Sequence, residues 1–411
     1  MEKLTVRKRR LLGIALLVGM VFLIQFITIG FAAENEVKIG ASLSLSGKLT
    51  REGHGLQEGY DFWVEWVNNR GGITVGDKKY KVKMIYYDDE SNPQTSARLF
   101  EKLITQDKVD IILGPYGSGI AMASTTIAER HRYVVILPLN DSDELYNRGY
   151  KYIYSVLPIA SRDMIPMVDL VRVQTPKPNS IAIIASNSPY PLMCAKGLNE
   201  YAKQGGLNVV MYEQFPEETS DLSSLLSLIK TKNPDLLFET GYFEHSVLIT
   251  RQLKDQRFTP KALAFSVGPQ LPDFTKSLGK DADYTMGVAY WHPKMKYKDS
   301  AFTIEQYNEM FNRKYGRGPV YLNAYGTAAG RLLETALGIA GSLNQEKIRE
   351  AMHKIELADT IVGGIKYDEA GRNIWGRTGV LQIQKGQAEI VAPEKAATAK
   401  FLYPAVPWEK R

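Results

Sequence analysis

Apolar and polar positions along this chain alternate between two spacings, one typical of strands and one typical of helices. The first predicted strand is residues 37–43, VKIGASL. A helix with one buried face is predicted next, because four apolar residues recur at helical spacing: Leu56, Tyr60, Trp63 and Val67. The pair Gly71-Gly72 is expected to end this helix, since glycine accepts the left-handed conformation of a helix end.

The same strand–helix pattern continues through most of the chain. Further strands are predicted at 80–87, 109–113, 133–137, 180–185, 207–212, 235–240 and 261–265. Such alternation indicates parallel sheets covered by helices, an α/β fold. A single core rarely grows beyond about 250–300 residues, so we expect two similar lobes. After Pro393 the periodicity is weak, and an extended tail is predicted.

The amino terminus has the pattern of an export signal. Basic residues dominate the first ten positions, and no charged residue occurs from Leu11 to Ala33. Gly30 and Ala32 allow cleavage before Ala33. The apolar run is also long enough to span a bilayer, which leaves a retained anchor as the alternative. No cysteine lies near this junction, so a lipid-anchored lipoprotein is excluded.

Charge and cysteine content limit the classes of partner. The leader carries +4 of the formal net charge of +6, so the remaining chain keeps only +2. The basic pI therefore gives no indication of a nucleic-acid partner. Cys194 is the single cysteine, so no internal disulfide can form.

Six loops that follow predicted strands are candidate ligand loops, because ligands of open parallel sheets bind beyond the carboxyl ends of the strands. GPYGSG (114–119) is the most informative of them. Gly117 lets the backbone approach a ligand, and the next helix presents free N–H groups. Ser118 could donate its hydroxyl to a carboxylate there, or it could simply cap the helix.

Catalytic and metal-binding motifs are not found. Ser118 lacks the spacing of a nucleophile elbow, because Tyr116 stands where glycine is needed. The five histidines include no pair at metal-ligand spacing, and no phosphate-binding glycine motif follows a strand. Asp88-Asp89-Glu90 resembles a carboxylate cluster, but we expect it to be solvated. The sequence predicts neither an enzyme nor a metal or other cofactor.

Five segments together resemble the substrate-binding proteins of bacterial ABC importers, in the branched-chain amino acid/amide family with the type I periplasmic-binding fold. They are residues 37–73, YYDDESNP (86–93), VDIILGPYGSG (109–119), Ser180–Tyr190 and PVYLNAYGTAAG (319–330). Each motif is modest alone, but their order and spacing cover nearly the whole chain after the leader.

The resemblance implies two lobes joined by three crossovers, which close on a solute. The expected boundaries are 1–33 for the export signal, 36–157 and 289–370 for the first lobe, 158–288 and 371–392 for the second, and 393–411 for the tail. The implied partners are a small-molecule solute and membrane permeases, with cytoplasmic ATPases indirectly. We expect a monomer outside the cytoplasm.

The resemblance also carries ligand-binding roles to particular positions. Ser118, beside Gly117, matches the serine that holds the ligand carboxylate. Tyr190 and Tyr242 match aromatic contacts from the second lobe. Leu139 falls where a backbone carbonyl meets the ligand ammonium.

Three positions depart from the amino-acid binders of this family. Glu52 stands where an aromatic residue covers the ligand, and Asp141 stands where a threonine bridges carboxylate and ammonium. Ser266 stands where an acid pairs with the ammonium, unless a gap moves that match to Gln270. Asp141 could replace the missing acid; otherwise the solute is an aromatic or aliphatic acid without an α-ammonium.

Three functional classes follow from these observations. The first is an uptake receptor that binds a hydrophobic amino acid, an amide or a related carboxylate. The second is a membrane-anchored ectodomain that senses a ligand, and the third is a secreted hydrolase. The missing nucleophile motif argues against the hydrolase, and we expect the uptake receptor.

Overall fold

The computed structural model describes residues 35–297 and 299–411. Two sheets organise the described chain. The first has six strands in the order β2-β3-β1-β4-β5-β6, and β1, β4, β5 and β6 are parallel. The strands are β1 (Glu36–Leu43), β2 (Ile73–Val75), β3 (Lys78–Asp88), β4 (Ile111–Leu113), β5 (Val135–Leu137) and β6 (Ile153–Ser155).

The second sheet has seven strands in the order β15-β14-β11-β10-β9-β7-β8. Five of these strands are parallel, whereas β14 and β15 form an antiparallel edge. The strands are β7 (Ser180–Ser186), β8 (Asn208–Phe215), β9 (Leu236–Thr240), β10 (Ala262–Phe265), β11 (Thr285–Ala289), β14 (Gly379–Gln384) and β15 (Gln387–Ala392). A separate short ladder joins β12 (Glu356–Leu357) and β13 (Ile365–Lys366).

Helices pack on both sheets, as the near-continuous apolar strands require. In chain order they are α1 (Thr50–Asn69), α2 (Pro93–Thr105), α3 (Ser118–Arg130), α4 (Asp143–Tyr146), α5 (Ile165–Val171), α6 (Pro189–Gln204), α7 (Ser223–Lys232), α8 (Phe243–Asp255), α9 (Pro272–Leu278), α10 (Ile304–Tyr315), α11 (Tyr321–Ala340) and α12 (Gln345–His353). The apolar face predicted for α1 is buried. Asn92 caps α2, and its Oδ1 accepts the N–H of Thr95 at 2.9 Å.

The chain passes between the two sheets three times. It crosses after β6, returns after β11 to build α10, α11 and α12, and crosses again after β13 to form β14 and β15. The helix α11 returns to the first sheet by packing closely on α1. A Cβ atom added at Gly59 would lie 2.3 Å from the Asn323 carbonyl oxygen, so glycine is required for this approach. The fold is thus α/β, with two similar lobes built on parallel sheets and three crossovers.

Strand prediction was accurate where apolar runs are long, and incomplete elsewhere. The seven later strands predicted from the sequence all occur, although several are shorter than expected. The short strands β2, β6 and β11 and the antiparallel edge were not foreseen. The expectation that the acidic triplet is solvated was wrong for Asp89, which is fully buried. Its carboxylate accepts hydrogen bonds from the Ser44 hydroxyl at 2.7 Å and the Ser91 N–H at 3.0 Å, and so it holds the loop after β1.

No helix among the described residues is both long and apolar enough to cross a membrane. The predicted export signal at 1–33 lies outside the described residues. The tail after β15 runs over the second lobe without regular strands. Its Trp408 is buried, and the indole N–H donates to the Phe258 carbonyl at 2.9 Å.

Candidate functional site

A cavity lies between the two lobes, at the carboxyl ends of their strands. The space between its walls amounts to about 290 Å³, part of which is open to solvent. Residues from both lobes and from the crossovers line it: Tyr116, Gly117, Ser118, Leu139, Asp141, Leu157, Tyr190, Tyr242, Val267, Tyr290 and Tyr321. The lining is therefore mainly aromatic and apolar, and Asp141 is its one residue that can carry a full charge near neutral pH.

One wall of the cavity is the amino terminus of α3. Gly117 precedes this helix with φ of 84°, a conformation that favours glycine, and Ser118 is the first helical residue. Ser118 is buried, and its Oγ accepts the N–H of Ser142 at 3.1 Å. The hydroxyl hydrogen of Ser118 is therefore free to point towards a ligand. The first N–H groups of the helix, with the positive end of its dipole, favour an anionic group here.

Tyrosine rings from both lobes form most of the remaining surface. The Tyr242 ring centroid lies 6.4 Å from that of Tyr116 in the first lobe and 6.0 Å from that of Tyr190 in the second. Tyr290 and Tyr321 stand with their centroids 5.5 Å apart. Aromatic walls of this kind hold apolar or cationic parts of a solute.

Asp141 faces a second buried carboxyl, that of Asp163. Asp141 is 3% exposed and Asp163 is 0% exposed. Each carboxyl is close enough to influence the ionisation of the other. Oδ2 of Asp141 and Oδ1 of Asp163 accept no hydrogen bond from an N–H or hydroxyl group of the described residues.

A line of hydroxyls leads from the cavity wall to this pair. The Tyr290 hydroxyl donates to Oδ2 of Asp163 at 2.8 Å. The Tyr190 Oη lies 2.6 Å from the Tyr290 Oη, and because Tyr290 already donates to Asp163, Tyr190 is the donor between them. The segment after β6 brings Asp163 into place, since the Ala160 N–H donates to the Asp141 carbonyl at 2.9 Å.

Burial determines the acidity of the pair. Burial raises the pKa of the Asp141 carboxyl to about 7. Burial, and then the neighbouring Asp141 charge, raise the pKa of Asp163 well above its ordinary value. Burial thus disfavours a negative charge on either carboxyl, and the charge of Asp141 further disfavours a charge on Asp163.

The structure brings most of the predicted site residues together. Gly117, Ser118, Leu139, Asp141, Tyr190 and Tyr242 all line the cavity. The predicted loop around Tyr190 is in fact the first turn of α6, which begins at Pro189.

Two predicted positions lie outside the lining. Glu52 is buried beside Arg51, with 3.5 Å between Oε1 and Nη1. The Ser266 hydroxyl accepts the Gly241 N–H at 3.0 Å and donates to the Gly241 carbonyl at 3.1 Å. The alternative match, Gln270, donates to the Ser266 carbonyl at 2.6 Å and is also outside the lining.

Several residues of the site were missed from the sequence. Tyr116 and Tyr321 belong to motifs noted above, GPYGSG and PVYLNAYG, and could have been found there. Asp163 and Tyr290 lie in crossover segments without regular periodicity, so no sequence signal pointed to them. Among the described residues, no group of three His, Cys, Asp or Glu side chains could hold a metal ion.

Comparison with known proteins agrees with this architecture. The sequence model of the periplasmic binding protein family matches residues 36–388. A relative from Brucella suis, the Leu/Ile/Val-binding protein homolog 7, is 26% identical over 388 residues, which cover 90% of this chain and 95% of the relative.

Solved structures show the same fold. The leucine-binding protein LivK from Thermotoga maritima superimposes with a TM-score of 0.77 at 24% identity, covering 87% of this chain and 98% of that one. A solute-binding protein from R. palustris in complex with benzoate gives a TM-score of 0.73 at 18% identity, covering 91% and 98%.

This chain belongs to the periplasmic binding protein family. It is a solute-binding receptor of an ABC importer, similar to the Leu/Ile/Val-binding proteins. Members of the family work outside the cytoplasm, where they bind a small molecule and interact with the transporter permeases.

Proposed function

We propose that this protein captures a small hydrophobic α-amino acid, or a related solute with a carbonyl group and one cationic nitrogen. The observation that carries the proposal is the position of Asp141, a buried acid in the wall of a cavity whose lining contains no Lys, Arg or His. A buried negative charge needs a positive partner, because an unpaired charge costs several kcal/mol. A solute ammonium is the natural partner.

The opposite end of such a solute fits the amino terminus of α3. There the free hydroxyl hydrogen of Ser118 and the N–H groups of the first turn are the donors for a carboxylate. The Leu139 carbonyl, which already accepts the Gly117 N–H at 3.4 Å, has a second lone pair for the ammonium. Carboxylate and ammonium receptors thus lie on the same wall, as an α-amino acid requires.

The apolar part of the solute would lie against the side chains from the second lobe and the crossovers. Tyr190, Tyr242 and Val267 come from the second lobe, and Leu157 follows β6. The name of the relative from Brucella suis supports an aliphatic amino acid.

A second candidate is an aromatic or aliphatic acid without a nitrogen, which the benzoate complex of the R. palustris protein makes relevant. The tyrosine-rich lining would suit an aromatic ring. Asp141 argues against this candidate, because a bound carboxylate would share the cavity with a second acid and no cation. In either case we propose delivery to an ABC permease by a monomer, after cleavage of the leader before Ala33.

The first test is mass spectrometry of solute released from protein that was purified without refolding. A thermal-shift screen of amino acids, amides, polyamines and aromatic or aliphatic acids follows. A ligand at 100 times its Kd adds about 2.7 kcal/mol to the free energy of unfolding, which raises Tm by several degrees. We expect hits among hydrophobic amino acids, lost in Asp141→Asn and kept in the surface control Asp169→Asn. Hits confined to simple carboxylic acids, with Asp141→Asn binding them as well or better, would show that the amino-acid assignment is wrong.

Two observations distinguish an uptake receptor from a membrane-anchored sensor: which genes are neighbours of this one, and whether the amino-terminal leader is removed. Neighbouring permease and ATPase genes would support uptake. The mature amino terminus, measured by mass spectrometry of protein from the native host, shows whether the leader is removed.

A further inference from the structure

A second groove is walled by segments of all three crossovers, and it shares no lining residue with the solute cavity. Helix α5 of the first crossover, residues 294–297 of the second and residues 375–378 of the third line it, and β15 with the start of the tail completes the wall. The space between these walls amounts to about 2290 Å³, part of which is open to solvent. A ligand can therefore occupy this hinge groove whatever the solute cavity holds.

The hinge groove has a mainly apolar surface. Met295 and Ile390 are buried in its wall, whereas Leu170 and Trp375 are only partly covered. Val173, at the end of the first of these segments, is 72% exposed. Contiguous apolar surface that folding leaves open to water is typical of a binding site. This surface suits the apolar part of a ligand.

The positive charge of the hinge groove is only partly balanced. Its lining contains four cations, of which Lys294 lies 2.8 Å from Glu389. The other three, Lys296, Arg377 and Lys395, are exposed. Within the part of the chain that the structure describes, no carboxylate lies within ion-pair distance of these three. Their charges are therefore available to an anion.

The acids around the hinge groove do not neutralise these cations. Asp169 is the one acid of the lining, and its carboxylate is already paired with Arg172 at 2.9 Å. Glu305 and Asp359 lie outside the lining and influence it through longer-range charge. The remaining surplus of positive charge favours an anionic occupant.

Arg377 presents a pair of N–H groups that fits a carboxylate. Its Nη1 donates to the Ile374 carbonyl at 3.1 Å and to the Gly376 carbonyl at 2.8 Å, which holds the guanidinium in place. Its Nε and Nη2 donate to no acceptor among the described residues. These two N–H groups point the same way, an arrangement that matches the two oxygens of a carboxylate.

The uncharged hydroxyls of the two threonines in the lining already have partners. Thr378 donates to the Asp163 carbonyl at 3.1 Å, and Thr398 donates to the Glu389 carboxylate. A peptide brings an N–H and a carbonyl at every residue and needs many such partners, whereas an alkyl chain needs none. An alkyl chain with an anionic end is therefore the better match.

We propose that the hinge groove is a second binding site, for an amphipathic carboxylate. The alkyl chain lies on the apolar surface, and the carboxylate binds Arg377 with support from Lys296 and Lys395. This site goes beyond the function proposed above, and no step of its test uses a solute of the cavity.

Contact with the groove can be measured by fluorescence, because bromine quenches a tryptophan that it touches. The probe is ω-bromoundecanoate, titrated below its micelle concentration. We expect saturable quenching that Trp375→Phe largely removes, while calorimetry still shows binding to this variant. Trp66→Phe is the matched control, since Trp66 is also partly exposed but lines a different groove. Quenching that does not saturate, or that is unchanged in Trp375→Phe, would overturn the proposal.

The charge of the probe and of the groove should both matter. Neutral ω-bromoundecanol is expected to bind at least about tenfold more weakly than the carboxylate. Arg377→Gln and Lys395→Gln should each raise the Kd of the carboxylate by about threefold to fivefold. Lys400→Gln, at an exposed lysine outside the lining, is the matched control. Equal affinity for the alcohol and the carboxylate would contradict the assignment.

A variant of the solute cavity shows whether the probe binds there instead. Tyr190→Ala alters the cavity and leaves the hinge groove intact, so the affinity for ω-bromoundecanoate should not change. If Tyr190→Ala weakens binding and Arg377→Gln does not, the probe occupies the solute cavity and the second site is wrong.

Two further probes test other classes of occupant. Hexaglutamate should not displace ω-bromoundecanoate, and the protein should not sediment with phosphatidylglycerol vesicles. Displacement by hexaglutamate would show that the groove takes an acidic peptide. Sedimentation with vesicles that is lost in Arg377→Gln would show that it contacts a lipid surface. Either result would overturn the proposal.

Discussion

Lys48 Nζ lies 2.7 Å from Glu218 Oε1, and this ion pair joins the first lobe to the second. The same ammonium lies 3.0 Å from Glu217 Oε1. Nearby, the Arg51 guanidinium reaches Glu244 at 3.2 Å and Asp273 at 3.3 Å, both in the second lobe. These contacts exist only while the lobes are together, so they stabilise the closed form and not the open one.

Loss of the Lys48 pairs should weaken solute binding slightly. Exposed ion pairs contribute about 0–1 kcal/mol each, so Lys48→Met is expected to raise Kd by about threefold to fivefold. The affinity of the wild type should also fall with added salt, and that of the variant less steeply. Lys254→Met is the matched control, because Lys254 pairs with Asp281 at 2.7 Å within the second lobe. An equal effect of both substitutions would mean that the interlobe pair has no special role.

Closure itself should be visible in solution. The cavity is bounded by residues of both lobes, so solute binding is expected to hold the lobes together as a hinge closes. Small-angle scattering should give a smaller radius of gyration with saturating solute than without it. Superimposable curves would contradict the hinge mechanism.

Ser118→Ala is expected to lower both affinity and stability. Loss of a hydrogen bond to a charged carboxylate should weaken binding by about 1.5–3 kcal/mol. The substitution also leaves the Ser142 N–H without its acceptor, which should cost the unliganded protein about 1 kcal/mol. Ser124→Ala on the same helix is the control, since Ser124 donates only to the Ile120 carbonyl and lies outside the cavity. Unchanged affinity in Ser118→Ala would leave Ser118 with a structural role alone.

The ring and the hydroxyl of Tyr190 should have separable effects. Tyr190→Phe keeps the ring but removes the 2.6 Å hydrogen bond to Tyr290, so we expect a loss of about 1 kcal/mol in binding. Tyr190→Ala also removes the apolar surface and should lose about 2–3 kcal/mol more. Tyr201 lies near the carboxyl end of α6, and its hydroxyl donates to Asp169 on α5. Tyr201→Phe loses that bond and should bind the solute normally. Equal affinity of the Phe and Ala variants would show that the ring does not contact the solute.

The stability of the unliganded protein should depend on the ionisation of Asp141. Burial raises the pKa of its carboxyl to about 7, so between about pH 4 and about pH 7 the folded protein binds more protons there than the unfolded chain. The contribution of Asp141 to stability is therefore largest at the acid end and decreases as pH rises through about 7. Asp141→Asn should remove this decrease, and its Tm should exceed that of the wild type by several degrees at about pH 8 and by less at about pH 5. A constant difference in Tm between the two proteins across this range would contradict the raised pKa.

The sequence by itself determined the strands with long apolar runs, the amphipathic helix α1 and the order of these elements along the chain. The spacing of Leu56, Tyr60, Trp63 and Val67 was enough to place the buried face of α1, because a helix repeats every 3.6 residues whatever surrounds it. The position of Ser118 at the start of a helix could also be predicted from its neighbours in the sequence. A glycine that can take a positive φ, followed by a serine at the start of a helix, needs only neighbouring residues to present free N–H groups.

Only the tertiary structure decided which acids face the cavity. Asp141 and Asp163 are brought together by the path of the first crossover, and Tyr290 reaches Asp163 from a segment 127 positions away in the chain. Glu52 and Ser266 looked equally suitable in the sequence, yet both turn to other partners outside the cavity lining. The direction of a side chain across a cleft depends on how two sheets and three crossovers pack, and the raised pKa of Asp141 depends on the burial that this packing creates. Neither has a signature in the local order of residues.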